Sequence, residues 1–240
     1  MKRSPVGRAA LAGLAAGALV LALAACGGGN HPGTGEGQQV AYDSGVPTDG
    51  HQSNEFVELL HSSNGRFSKT GWNHYGPGYF ELDRETGILT SHGGMGLFWY
   101  SVKEFADFEL ELEFRCSRVT TNSGVFVRVP GVPSSDDYIY HSFEIQIYDA
   151  GEGIHVTGAV YDAEAASHLA SKPPGEWNQL RISFVADHLV VELNQERVVD
   201  WDAEPRGKVE DFATRGYVGL QNHDEESPVS FRNIRIRDLG

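Results

Sequence analysis

The sequence is poor in cysteine, in positive charge and in long apolar runs, and each shortage excludes something. Of 240 residues only Cys26 and Cys116 are cysteines, so neither a disulfide framework nor a thiolate zinc site is available. Lys and Arg number 19 against 33 Asp and Glu, giving a formal charge of −14 that disfavours nucleic acid and anionic membrane surfaces as partners. The ten histidines contain no His-x-His or His-Glu-x-x-His spacing, and no Gly-x-Ser-x-Gly elbow occurs. A preassembled zinc or serine hydrolase of those types is therefore not indicated. The one extended apolar run, residues 9–25, is short of the roughly 20 residues a membrane span needs and is diluted by Gly13 and Gly17.

What surrounds that run gives it a purpose. Lys2, Arg3 and Arg8 precede it, and Leu23, Ala24, Ala25 and Cys26 close it. This is the layout of an export signal. It resembles a bacterial lipoprotein signal, which implies that residues 1–25 are cut away and that Cys26 is lipidated, so that the protein reaches the cell envelope through a lipid anchor. Losing the three cations would take the formal charge from −14 to −17. Residues 26–52, rich in glycine and nearly free of apolar side chains, read as a tether. Their "GTGEG" has no strand before it and no helix after it, so it reads as linker and not as a phosphate loop. The remainder, 53–240, suits one domain with a sizeable core.

Within that domain apolar residues recur every second position. "DFELELEFRC" sets Phe108, Leu110, Leu112, Phe114 and Cys116 on one face and Glu109, Glu111, Glu113 and Arg115 on the other. "SGVFVRV", "SFEIQIY", "NQLRISFV", "HLVVELN", "RGYVGLQ" and "FRNIRIR" repeat the pattern between turn residues. Many short strands with almost no helical period predict an all-β, two-sheet antiparallel jelly-roll sandwich. Only 56–61 and 163–170 suit brief helices. "LRISFV-ADH-LVVELN" predicts a hairpin with Leu180, Ile182 and Phe184 facing Leu189, Val191 and Leu193.

The chemistry is carried by side chains off the apolar beat. Arg128, Glu144, Gln146, Gln221 and His223 form one patch if their strands are neighbours. Glu109, Glu111 and Glu113 read as solvated charge on an exposed face, and Cys116 as an inert packed thiol. The acidic turns at 149–152, 162–164 and 224–226 match no EF-hand loop and read as ordinary turns. Trp72, Trp99, Trp177 and Trp201, with Tyr75, Tyr79, Tyr140, Tyr148 and Tyr161, supply rings that suit the C–H faces of sugars, although each ring alone is as well explained by core packing.

An ordered series of segments carries a specific resemblance: "GW" at 71–72, "DFELELEFR" at 107–115, "NSGVFVR" at 122–128, "FEIQIYD" at 143–149, "GAVYD" at 158–162, "KPPGEWNQLRI" at 172–182, "VELN" at 191–194, "GLQNH" at 219–223 and "FRNIRI" at 231–236. Together they resemble the 3-keto-disaccharide hydrolase domain family. The resemblance implies a concanavalin A-like jelly roll whose concave sheet binds sugar. It also implies cleavage of glycosides already oxidised to a ketone at C3, and hence a functional link to a sugar 3-oxidoreductase. Two departures stand out: Gln195 replaces the glycine usual after the hairpin asparagine, and "IYD" places Tyr148 where a leucine is more frequent. A C3 ketone acidifies the C2 proton, so such a site needs a base, a stabiliser for the C3 oxygen and an acid for the leaving group. His223 is the first choice for the base, Arg128 for the stabilising cation, and Glu144 for acid, alternative base or, with His223, ligand of a divalent cation. Gln146, Gln221, Asp149 and Asn122 suit hydroxyl recognition, and Tyr148, Tyr161 and Trp177 suit sugar contact. Lys172 is either a site lysine or an exposed turn residue, and Arg232, sharing parity with Ile234 and Ile236, is either a buried paired arginine or a site residue. The rival reading is a carbohydrate-binding module without catalysis, because this kind of fold serves both. A third, a structural cell-surface protein, leaves the polar rows without a task.

Overall fold

A computed structural model describes residues 55–240 of the chain. The signal, Cys26, the tether and its "GTGEG" lie outside the described residues. In chain order the strands are β1 (Val57–Glu58), β2 (Ser62–Ser63), β3 (Arg66–Phe67), β4 (Trp72–Tyr75), β5 (Tyr79–Leu82), β6 (Leu89–His92), β7 (Gly96–Phe105) and β8 (Phe108–Cys116). They continue as β9 (Ser123–Val129), β10 (Phe143–Ile147), β11 (Asn178–Val185), β12 (His188–Leu193), β13 (Glu196–Asp202), β14 (Gly216–Asn222) and β15 (Val229–Asp238). The larger sheet runs β13-β12-β11-β8-β15-β6-β5 with β1 beside β15, the smaller runs β10-β9-β14-β7-β4, and β2 pairs with β3 alone. The pairings are antiparallel, and the two main sheets pack as the expected jelly-roll sandwich.

Alternation places the core. Phe108, Leu110, Leu112, Phe114 and Cys116 of β8 are all buried, and the β11–β12 hairpin pairs Leu180 with Leu193, Ile182 with Val191 and Phe184 with Leu189, as expected. Each such side chain removed from water contributes about 1.5–3 kcal/mol. Burial pushes the Cys116 thiol up to about 12, so it stays protonated and inert at neutral pH. The outward glutamates of β8 are paired as well as solvated: Glu109 with Arg237 and Arg181, Glu111 with Arg235 (2.6 Å), and Glu113 with Arg232 (2.5 Å). Half-exposed pairs of this kind contribute about 0–1 kcal/mol each. They neutralise the three glutamates of β8.

The two short helices expected from the sequence do not form. Residues 56–61 are extended, because Leu59 is plugged into the core and its N–H donates to Ile234 O at 2.8 Å. In 163–170 the backbone is taken by neighbours: Glu164 and Val160 exchange both hydrogen bonds, and Ser167 N–H donates to Val198 O at 2.8 Å. The described helical turns are short 3-10 segments at Asp136–Tyr140, Gly153–His155 and Gly207–Val209.

Two β-bulges redirect the arginines on which the sequence reading leaned. Along β9, Val125 and Val127 face the core, but Arg128 has φ 54° and the register slips between its neighbours. The extra residue reverses the parity, so Arg128 turns to the core side and Val129 to the opposite face. Arg128 is thus not in the patch with Glu144. Its guanidinium lies 3.5 Å from the centroid of the Phe184 ring and donates to Ala106 O (2.8 and 3.1 Å) and Ala186 O (2.7 Å), with Asp107 at 3.6 Å. It clamps the β7–β8 turn to the β11–β12 turn. Asn233, with φ 52°, makes the matching bulge in β15 and sends Arg232 outward to Glu113, while Phe231 and Ile234 both stay inside.

A clamp has a different mutational signature from a catalytic cation. Arg128→Met removes the donor that joins Ala106 O and Ala186 O and is expected to lower unfolding free energy by about 1–3 kcal/mol, measured by urea denaturation. Unchanged stability would return Arg128 to the list of candidate site residues.

Candidate functional site

The smaller sheet is buried on both faces, and the side turned away from the core carries the polar residues. One rung crosses it as Glu144 on β10, Phe126 on β9, Gly219 on β14, Trp99 on β7 and Asn73 on β4. The next rung has Gln146 opposite Gly124, and Gln221, Leu97 and Tyr75 in line on β14, β7 and β4. Tyr138, from the 3-10 turn, packs across part of this face, its ring 5.1 Å from Phe126 and 6.2 Å from Tyr75. Leu97, Trp99, Phe126, Val129 and Tyr138 form a second apolar cluster, separate from the main core.

Glu144 lies at the other end of the rung and is 6% exposed. The glycine at 124 makes room for it, since a Cβ there would stand 2.3 Å from Glu144 Oε1. Desolvation pushes this carboxyl up to about 8, opposed by the positive charge of Lys208 and by a hydrogen bond from Gln221. Gln146 joins them: turned one way its amide donates to Glu144 Oε1 (3.3 Å) and Ser123 O (3.1 Å), turned the other to Asn122 Oδ1 (3.5 Å). The first orientation satisfies more partners. On the outer edge of β10, the segment 158–161 adds a further run of backbone bonds, with Gln146 N–H to Ala159 O and Tyr161 N–H to Glu144 O, both 2.9 Å. This sets Tyr161 beside the carboxyl. The Lys208 ammonium, whose charge acts on the carboxyl, lies 4.7 Å from the Tyr161 ring centroid and 5.2 Å from that of Tyr140.

His223 continues the polar row just past β14. Its Nδ1 is 2.7 Å from Asp224 Oδ2, and its Nε2 is 3.1 Å from Asn122 Nδ2. The ring is thus held between the Asn122 amide and the Asp224 carboxylate. The hydrogen bond from His223 and those from Ser227 and the Glu226 N–H hold the Asp224 carboxyl below the usual range against the opposing effect of burial. His223 remains about one-third exposed, which gives it access to solvent that Glu144 lacks.

The structure therefore brings together Glu144, Gln146, Gln221, Asn122, His223 and Tyr161, and moves others away. Arg128 is the interior clamp. Arg232 and Trp177 belong to the outer face of the larger sheet, where the guanidinium stacks 4.0 Å from the indole. Lys172 is held on Trp177 O at 3.1 Å, in the same turn. Asp149 accepts from Thr157 (2.6 Å) and Ser171 (2.8 Å) and pins a loop, and Tyr148 packs against the turn at Gly151. Lys208 and Tyr138 gain places that the sequence did not single out, while Trp99 and Tyr140 stand there only among the rings that could suit a sugar; Lys208, Tyr138 and Tyr140 come from 3-10 turns with no periodic signal. For the divalent cation suggested at Glu144 and His223, among the described residues no three His, Cys, Asp or Glu side chains converge on one point. The donor set does not fit a protein-held cation, and no step is routed through one.

Comparison with known proteins agrees with this architecture. A solved structure from Parabacteroides distasonis, provisionally named a glycosyl hydrolase, is 30% identical, with 78% of this chain and all of that one covered at a TM-score of 0.63. Another from the same organism and with the same provisional name is 23% identical over 77% of this chain and 94% of that one, at a TM-score of 0.65. A 3-keto-disaccharide hydrolase from Bacteroides thetaiotaomicron is 26% identical in an alignment 176 positions long that covers 57% of this chain and 60% of that protein's length. The family model of the 3-keto-alpha-glucoside-1,2-lyase-like domain matches residues 55–237, and the chain belongs to that family.

Proposed function

We propose that the domain cleaves glycosides whose glucose carries a ketone at C3, by removing the C2 proton, expelling the substituent at C1 and adding water to the resulting enone. The observation that carries this reading is the buried carboxyl of Glu144, raised to about 8 by desolvation and sharing its sheet face with Gln146 and Gln221. A carboxylate can remove a proton next to a ketone when the developing enolate is stabilised, and desolvation makes it a stronger base by destabilising its charged form, so that it binds a proton more tightly. Glu144 is accordingly the base in this reading, in place of the His223 favoured by the sequence. The role first given to Arg128 passes in part to Lys208, whose charge balances the carboxylate when it forms. His223, at the exposed end of the row, exchanges protons with the leaving oxygen and the incoming water. Gln146, Gln221 and Asn122 suit the ring hydroxyls, and Tyr161 and Tyr140 the sugar's C–H faces.

The wider setting is part of the same proposal. The 3-keto-disaccharide hydrolase relative suggests the substrate class, and the Leu-Ala-Ala-Cys leader suggests export with lipidation at Cys26. A separate sugar 3-oxidoreductase would supply the ketone.

Three outcomes test the reading. The full chain is expected to release the aglycone from a 3-keto-glucoside and not from the unoxidised glucoside, with kcat/KM rising between about pH 6 and pH 8.5 as Glu144 loses its proton; binding without release would favour the carbohydrate-binding module instead. Glu144→Gln is expected to lose at least ~10³-fold in kcat yet gain stability. Between the ordinary value of 4.5 and about 8 the folded state keeps a proton that the unfolded state releases. This group's contribution to stability is therefore full below pH 4.5 and is lost as pH climbs toward 8. The glutamine variant escapes that loss, so its advantage in thermal or urea unfolding should grow from near zero at pH 5 to on the order of 2–4 kcal/mol at pH 8.5, at about 1.4 kcal/mol per pH unit. A constant difference across that range would show that Glu144 is not a buried, proton-holding acid. Gly124→Ala displaces the carboxyl and is expected to cost about 10²-fold in kcat/KM, read against Gly219→Ala, whose added methyl meets Leu97 and not Glu144.

A further inference from the structure

Three buried polar atoms on the same sheet face have no hydrogen-bond partner among the described residues: Trp99 Nε1, Tyr138 OH and Gln221 Oε1. Their residues are 5%, 4% and 5% exposed. A buried polar atom left unpaired costs about 1–3 kcal/mol, a cost that a ligand supplying the missing partners would relieve. They are not scattered. Trp99 and Tyr138 pack in one cluster over Phe126, Tyr138 lies within the electrostatic reach of Glu144, and the other end of the Gln221 amide hydrogen-bonds Glu144.

Their chemistry is also selective. An indole N–H only donates. The Tyr138 phenol is held well above its ordinary value by burial, with the charges of Asp136 and Glu144 adding to the effect, so it too is a permanent O–H donor. Gln221 Oε1 only accepts. Two donors and one acceptor match an oxygen that carries no proton next to a hydroxyl that does.

We propose that Tyr138 O–H and Trp99 N–H are the donor pair that holds the C3 oxygen of the substrate, first as ketone and then as enolate, while Gln221 Oε1 accepts from a neighbouring ring hydroxyl. This rests on the keto-glycoside reading above and adds the missing electrostatic partner to it. As Glu144 takes the C2 proton, the C–H electron pair becomes the C2–C3 double bond and the former carbonyl pair moves onto the C3 oxygen, where the two donors meet it. On collapse the C3 carbonyl reforms, a C1–C2 double bond appears, and the C1–oxygen bond leaves with its electrons to be protonated. Donors fixed in advance in a dry site need no reorganisation as the charge develops. An unoxidised sugar presents a C3 hydroxyl whose proton has no acceptor between two donors, which disfavours it at the same position.

Tyr138→Phe and Trp99→Phe separate this role from a structural one. Tyr138→Phe removes only an unpaired hydroxyl, so its melting temperature should hold or rise while kcat for a 3-keto-glucoside falls about 10²-fold and the preference over the unoxidised glucoside narrows; Trp99→Phe should reduce kcat in the same direction. A Tyr138→Phe variant within about threefold of the parent in kcat overturns the assignment while leaving the keto-glycoside reading intact. A parent protein that releases nothing would sink that reading instead. The donor pair is then decided by binding alone, in the Glu144→Gln background: a methyl 3-keto-glucoside should shift the Trp99 indole N–H resonance, and Tyr138→Phe should weaken its binding at least tenfold. No shift and unchanged affinity overturn the proposal.

Discussion

Burying the Glu144 carboxyl without an arginine beside it is the constraint around which the rest of this structure is arranged. A carboxylate taken out of water into apolar surroundings prefers to keep its proton. The fold does not relieve that preference with a tight ion pair. It offers amides from Gln221 and Gln146 and a lysine held off between two tyrosine rings. The result is a group poised to change its charge near neutral pH, which a well-paired carboxylate would not be. Every neighbouring choice serves it: glycine at 124 vacates the volume, the 158–161 segment closes the edge of β10, and Tyr138 covers the face from above.

Such a site consumes stability, and the larger sheet shows where compensation lies. Its inner face is a continuous apolar stripe, and its outer face is a ladder of glutamates and arginines that cancel one another. Individually those pairs are weak, but together they neutralise the glutamate row of β8. Arg128 does for the turns what the ladder does for the face, joining two backbone carbonyls from different connections across the Phe184 ring. Positive charge, scarce in the composition, thus serves structure in the glutamate ladder and the Arg128 clamp, and Lys208 acts on the carboxyl from a 3-10 turn.

How far the sequence revealed this follows from the physics of alternation. Wherever the period of two runs unbroken, as in β8, β10 and the β11–β12 hairpin, the inward and outward residues were read correctly, and with them Glu144, Gln146 and Gln221. Parity fails at a bulge, and both misplaced arginines fall beside one: a single residue at positive φ, Arg128 itself in β9 and Asn233 in β15, reverses every assignment beyond it. Nothing in "VFVRV" or "FRNIR" announces that extra residue. Loop contributions are hidden for a different reason. Lys208, Tyr138 and Tyr140 reach the site through chain excursions whose course depends on tertiary contacts, so no periodicity records them. The Asn122–His223 contact joins residues just outside their strands and shows in the sequence only as two polar residues next to strand ends.

The company Glu144 keeps also bears on the kind of bond cleavage the site suits. Glycosidases that proceed through an oxocarbenium ion work with two carboxyl groups, one to protonate the leaving oxygen and one to attack or to activate water, at separations of about 5 to 9.5 Å. The groups that act on Glu144 are amides, a cation and a phenol that keeps its proton. A second carboxylate beside it would raise it further and would stabilise positive charge on the sugar. Neutral donors and a lysine do the opposite: they favour negative charge, on the carboxylate itself and on an oxygen of the bound ring. An arrangement of one strong base with donors facing an oxygen suits enolate formation, and enolate formation needs a carbonyl next to the carbon that loses its proton. In the proposed reading these surroundings favour a sugar that has already been oxidised, because such a sugar uses both the base and the donors.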